Sequence, residues 1–352
     1  MTSSESTTLP PASFVLPDLH ALTSFPASFN PHYAAAAAES SAWIASFPGA
    51  LTDATVKRAI FLWCASSLLC AHAYPYADHE SLRTTCDFFG LLFTIDEISD
   101  DQDEGGARKT GSALYEVMKD PDYDDGSTLC RMAKDLTTRL HAHCGPLTYA
   151  RMLKYCKAYT EAVAREADLR ARGVILDLDS YVAIRRENSA VRFCLELAGG
   201  ALNVDLPDEV VEDPTFVKMH LAAVDMIYLA NDLYSYNMEQ AKGHTTNNVM
   251  TVLMHHLGLD LQGAANYIAE HFKTLMETYL EAKRTLPTWD AVIDLGVARH
   301  AMAMECWIVG NLNWSFESQR YFGAAGAEVR KSRVVRLYPR DSHLQGGSDG
   351  DD

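Results

Sequence analysis

Apolar residues recur three and four apart along this chain. Leu91, Leu92, Ile95 and Ile98 make one such set, and Leu221, Val224, Tyr228 and Leu229 another. That spacing gathers them on one face of a 3.6-residue helix. Alternation of period two, the mark of a half-buried strand, never runs far enough to predict a sheet, and no internal repeat appears. Breakers cut the pattern into pieces of helix length: Gly105-Gly106, Pro121, Gly145-Pro146, Pro207, Pro214, Gly258 and Pro287. The expectation is an all-α, single-domain bundle of roughly ten helices, spanning residues 21–335. Residues 1–20, rich in Ser, Thr and Pro, are expected to be disordered, and 336–352 to form a flexible acidic tail.

Composition changes this picture little. The chain has 352 residues, 48% hydrophobic and 22% charged, enough to bury a large core. Its formal charge of −17 repels nucleic acid and anionic membrane surfaces. A phosphate-bearing ligand would therefore need metal ions or a few placed arginines. The eight cysteines are scattered through apolar segments with no Cys-x-x-Cys pair, which predicts buried thiols rather than disulfides or a zinc site. No signal-peptide pattern and no apolar run of membrane-spanning length is present, so no membrane span and a cytosolic location are expected.

Two segments carry chemistry. In the first, the apolar run Phe88 to Phe93 leads into Asp96-Glu97-Ile98-Ser99-Asp100-Asp101. Asp96 and Asp100 stand four apart, so their carboxylates share a helix face and can converge on hard cations. Such pairs in acidic chains are often only solvated helix ends; the apolar run before this one argues for a helix buried until it reaches the acids. In the second segment, Asn231, Ser235 and Glu239 follow an i, i+4, i+8 pattern, lining one stripe with an amide oxygen, a hydroxyl and a carboxylate. Three oxygen ligands on one stripe suit magnesium, although a polar surface face would look similar.

Taken together, the chain resembles a class I terpene synthase, especially the single-domain sesquiterpene synthases of basidiomycete fungi. The matching motifs are Asp96-Glu97-Ile98-Ser99-Asp100 and Asn231 to Glu239. Tyr181 to Ser189 is similar to the family's diphosphate-sensing element, and Gly310 to Gly323 to its C-terminal Arg-Tyr element. Asn30-Pro31-His32-Tyr33, followed by Glu39 to Trp43, is similar to its first helix. The acidic motif reads Asp-Glu where Asp-Asp is common. Met238 stands where some relatives carry a basic residue, and Asn188 and Ser189 depart from the commoner choices in the trigger.

The resemblance implies a helical bundle around a central active-site cavity and a magnesium-dependent cyclase. Its substrate would be a prenyl diphosphate: farnesyl first, then geranyl, then geranylgeranyl. Asp96, helped by Asp100, would hold two of three Mg2+ ions, and Asn231, Ser235 and Glu239 the third. Arg185 is implied as the sensor, with Asn188 and Ser189 at the helix break behind it. Arg320, Tyr321 and Lys242 would complete the grip on the diphosphate. Phe89, Phe93, Trp63, Trp307 and Trp314 are the candidate aromatics for facing a carbocation, Phe93 first because it precedes Asp96 by about one turn. The loops after Asp100 and near Arg320 are implied to close over the ligand. A homodimer is compatible with the family. A chain-elongating prenyltransferase would normally carry a second aspartate-rich motif in place of Asn231, Ser235 and Glu239. A helical scaffold without activity would need no ordered set of such ligands.

Overall fold

A computed structural model describes residues 13–47, 65–100, 102–244 and 246–339, the side chains of Glu97 and Asp100 excepted. The chain folds almost wholly into helices: α1 (Tyr33–Ala45), α2 (His79–Asp100), α3 (Glu104–Lys119), α4 (Thr128–His143) and α5 (Pro146–Ala171). There follow α6 (Leu178–Asn188), α7 (Val191–Ala201), α8 (Pro214–Lys242), α9 (Val249–Leu257), α10 (Leu261–Arg284), α11 (Ala291–Glu317) and the single turn α12 (Gln319–Phe322). A further helical stretch covers 65–73.

Local chemistry explains the boundaries. Asp103, Ser127, Asp177, Asp213, Asn248, Asp260 and Asp290 each accept a hydrogen bond from a backbone N–H of the first turn they precede. Pro146 and Pro214 occupy first-turn positions, where a missing N–H costs nothing. Gly243 and Gly258 close α8 and α9 with left-handed backbone. Gly105-Gly106, expected as a break, lies instead inside the first turn of α3, because Asp103 caps that helix through the Gly106 N–H.

α8 packs against α10 and α11, α5 against α3 and α7, and α2 against α1. α8 contributes a nearly continuous buried run from Ala222 to Ala230, as expected of a helix enclosed by others. Gly310 on α11 lets that helix approach the 65–73 stretch: a Cβ there would lie 2.8 Å from the His72 carbonyl. Six of the seven described cysteines are buried and all are free thiols; Cys64 lies outside the described residues. Among the described residues no helix is long and apolar enough to cross a membrane.

The ends of the bundle depart from expectation. Residues 13–20 are ordered: β1 (Ser13–Val15) pairs antiparallel with β2 (Val334–Arg336), and Gln262 hydrogen-bonds both the N–H and the C=O of Val15. Phe14, Leu16 and Leu19 are buried. These three apolar residues, diluted among polar neighbours, supply the burial that composition alone did not promise. Residues 336–338 are likewise ordered, held to the back of α8. Asn237 Nδ2 donates to the Arg336 carbonyl (3.0 Å), its Oδ1 accepts from the Tyr338 N–H (2.7 Å), and Gln240 donates to the Tyr338 carbonyl (2.8 Å).

Candidate active site

Four long helices deliver their later residues to one end of the bundle. α2 presents Phe89, Leu92 and Phe93, then Asp96; α5 presents Tyr159, then Glu166 and Arg170; α8 presents Ile227 and Tyr228, then Asn231, Glu239 and Lys242; α11 presents Trp307, Asn311 and Trp314 and leads to Arg320 and Tyr321. With the α6–α7 junction they enclose a cavity of about 440 Å³. Its depth is apolar and aromatic, its mouth acidic and basic. α2 and α8 both reach the mouth by their C-termini, where the partial negative charge of the helix dipole favours cations.

The α8 side of the mouth is closely wired. Arg185 Nη2 donates to Asn231 Oδ1 (2.9 Å) and Asp232 Oδ1 (2.8 Å), and its Nε also reaches Asp232 (3.0 Å). Asp232 is buried, accepting in addition from the Tyr181 hydroxyl and the Val249 N–H. Asn231 Nδ2 donates to the Tyr321 hydroxyl oxygen (2.6 Å), which leaves the tyrosine proton for another acceptor. Burial pushes the Tyr321 hydroxyl up to about 12, against the pull of Arg320, so it holds that proton. Asn248, fully buried, donates to Glu239 Oε2 (2.9 Å) and to the Asp232 carbonyl (2.8 Å).

Glu239 is pushed up to about 7 by burial and then by the nearby Asp232 charge, despite hydrogen bonds from Ser235 and Asn248. Its carboxylate is therefore poorly solvated, and a cation beside it would stabilise its charge. Three oxygen donors on one helical stripe, one of them such a carboxylate, fit a hard divalent ion.

The other sequence-predicted residues fall as follows. Phe93 lines the cavity with the Arg320 guanidinium 4.8 Å from its ring centroid. Phe89, Trp307 and Trp314 also line it, whereas Trp63 lies outside the described residues. Asp96 lines the mouth; Asp100 ends α2, and its side chain lies outside the described residues. Ser235 is buried beside Glu239, to which its hydroxyl hydrogen-bonds. Lys242 lines it, with no ion pair among the described residues. Asn188 ends α6, Ser189 caps it, and Ala190 adopts φ +57° before α7 begins, so a real helix break stands behind Arg185. Asn188 Oδ1 accepts from Arg185 (3.3 Å).

Several site residues were not foreseen. Asp232 and Tyr181 lie inside the motifs without an evident role in the sequence; Asn248, Glu166 and Arg170 lie outside them. The signal for Asp232 was its place beside Asn231 on an otherwise apolar helix, where a carboxylate needs a partner.

The terpene synthase family 2 model, with its C-terminal metal binding, matches residues 87–278, which include the Asp96 end of α2 and the whole of α8. The chain belongs to this family. Over 338 residues this terpene synthase is 47% identical to a Coprinopsis cinerea protein named Linoleate 10R-lipoxygenase COP4, covering 96% of each chain. It is 37% identical to Sesquiterpene synthase 2 of Postia placenta, over 97% of this chain and 99% of that one. Among solved structures, hedycaryol synthase in complex with HEPES superposes with a TM-score of 0.74 at 22% identity, over 86% of this chain and 98% of that chain, and so shares the fold. The chain is thus a terpene cyclase, and the matched span carries both Asp96 and the Asn231 to Glu239 stripe at the cavity mouth.

Proposed function

We propose that this terpene synthase is a magnesium-dependent sesquiterpene synthase acting on farnesyl diphosphate in the cytosol. The observation that carries the reading is the division of one cavity. Oxygen ligands and the cations Arg185, Lys242 and Arg320 stand at its mouth, above a floor of Phe89, Phe93, Trp307 and Trp314. Its volume of about 440 Å³ lies within the usual range for small-molecule sites, about 300–1,000 Å³. A fatty-acid carboxylate, the ligand suggested by one relative's name, carries a single charge and needs no such array; a diphosphate does.

In this reading Asp96 and Asp100 hold two Mg2+ ions and Asn231, Ser235 and Glu239 a third. When bound, the ions neutralise charge developing on the departing diphosphate. The chain's own groups do the rest. Arg185 and Arg320 present planar forks to phosphate oxygens, Lys242 adds a point charge, and Tyr321 donates its retained proton. Asn188 and Ser189 position Arg185 at the helix break. The allylic C–O bond breaks with its electron pair leaving on diphosphate, and the aromatic floor of Phe89, Phe93, Trp307 and Trp314 then faces the cation. The Asn231 motif in place of a second aspartate-rich one favours cyclisation over chain elongation.

The test is to incubate purified protein with geranyl, farnesyl and geranylgeranyl diphosphate, with Mg2+ or chelator, and analyse extracts by gas chromatography–mass spectrometry. Cyclic fifteen-carbon products from farnesyl diphosphate, dependent on Mg2+, are expected. Only longer prenyl diphosphates, or no product from any substrate, would overturn the reading.

A further inference from the structure

The functional reading leaves two charged residues of the cavity mouth without a role. Glu166 and Arg170 lie one turn apart on α5, both lining the cavity with side chains 23% and 20% exposed. Ordinarily such a pair is a surface ornament worth little. Here each end is tied to a different motif. Glu166 Oε2 accepts from Asn188 Nδ2 (2.7 Å), and Asn188 Oδ1 in turn accepts from Arg185 (3.3 Å). Arg170 Nη1 stands 4.0 Å from Glu166 Oε1, and its Nη2 donates to the Ser99 carbonyl (3.3 Å). That carbonyl, which also accepts from the Gln102 N–H (3.1 Å), belongs to the last turn of α2, three residues after Asp96 and next to Asp100.

The result is a polar path, Arg185–Asn188–Glu166–Arg170–Ser99 carbonyl, whose Glu166–Arg170 step is an ion pair at 4.0 Å, joining the α6–α7 break to the end of the acidic helix. α5 itself is anchored below by buried Tyr159, Thr160 and Val163, so it can serve as a fixed post between the two. The break is a natural point of movement, because Ala190 sits in left-handed backbone that a residue with a Cβ occupies at some cost.

We propose that Glu166 and Arg170 are positioning residues that couple occupancy at Arg185 to the placement of the Asp96–Asp100 helix end, so that diphosphate and Mg2+ strengthen each other's binding across the mouth. The proposal rests on the diphosphate reading above. Such coupling is reciprocal, and is typically about 5- to 150-fold. Removing the arginine should leave each wall intact but let the two respond separately.

The test measures melting temperature of the full-length protein as MgCl2 is titrated at fixed inorganic diphosphate. In the wild type, diphosphate and Mg2+ together should stabilise more than the sum of each alone. Arg170→Met should raise the Mg2+ concentration for half-maximal stabilisation by about 5-fold or more, with the ligand-free melting temperature nearly unchanged. Glu166→Gln, which keeps an acceptor for Asn188 but loses the ion pair, should give a smaller shift, guarding against a misfolded arginine variant. Arg170→Met combined with Asn188→Ala should shift the midpoint hardly further than either alone, as for members of one path. Wild-type midpoints in both single variants, or fully independent effects in the double variant, would overturn the coupling while leaving the function standing. A wild type that does not respond to Mg2+ with diphosphate would overturn both.

Discussion

The two walls of the cavity mouth are built on different principles. On the α8 wall nearly every functional side chain is held by another: Asn231 between Arg185 and Tyr321, Asp232 among Arg185, Tyr181 and the Val249 N–H, Glu239 by Asn248. From behind, Asn237 and Gln240 bind the backbone of 336–338. The α2 wall has a deep apolar anchor, with Phe88, Leu91 and Ile95 buried and Asp96 facing the cavity, and its last turn is held by Arg170 at the Ser99 carbonyl. A wired wall fixes ligand geometry in advance, at the cost of sensitivity to any lost partner. A packed wall tolerates change at its polar face but sets that face less tightly.

The difference is open to attack. The largest stability loss is expected from Asp232→Ala on the wired wall, which strips the part-buried Arg185 guanidinium of its buried carboxylate. About 3–5 kcal/mol is the usual cost of breaking a buried pair, read from denaturant unfolding. A loss under about 1 kcal/mol would show that wall to be less interdependent than its contacts suggest.

The next effect is in pH and separates the wired wall from the far core. His220 and His300 are buried beside one another. Burial, then the charge of Arg151, lowers His300 to about 4; burial, then His300 and the nearby arginines, lowers His220 well below its ordinary value. Both are neutral in the fold and protonate in the unfolded chain below about 6.5. Their contribution is complete above that value and is lost as pH falls toward 4, at up to about 1.4 kcal/mol per unit for each. Glu239 runs the other way: its carboxyl is raised, so its contribution is complete below about 4.3 and is lost as pH rises through about 7. In chelator, Glu239→Gln should therefore gain stability relative to wild type as pH rises from 5 to 8. Parallel pH profiles for the two proteins would contradict this sign.

A smaller loss is expected from Asn248→Ala. It leaves Glu239 and the Asp232 carbonyl without their shared donor, worth about 1–3 kcal/mol for buried groups. The smallest effect is on the packed wall: Phe93→Leu keeps an apolar side chain but removes the ring beneath Arg320. That should cost about 0.5–1 kcal/mol of cation–π energy, seen as a few-fold slower turnover with an altered product ratio. An unchanged product profile would detach Phe93 from the cation.

Much of this was legible in the sequence, for reasons that differ by region. Helical spacing around Leu91 and Ile95, and around Val224 and Tyr228, marked the two ligand-bearing helices, and Pro146, Pro214 and Gly258 marked real ends. The oxygen stripe on α8 followed from i, i+4 arithmetic. What could not be read was whatever depends on distant partners. The β1–β2 ribbon joins residues 13–15 to 334–336, strands too short to show a period. Asn248 looks like a helix cap, which it also is, and Glu166 with Arg170 looks like any exposed i, i+4 pair. Only the fold brings them to the mouth.

The central claim is that both walls act on one prenyl diphosphate. The most direct measurement is cyclic product formed from farnesyl diphosphate and Mg2+ by wild type, Asp96→Ala and Asn231→Ala, each verified as folded. The account predicts that product falls by about 10²-fold or more in both variants, as for loss of one strong charge-stabilising group. Cyclic product at near wild-type rate from either variant would contradict it.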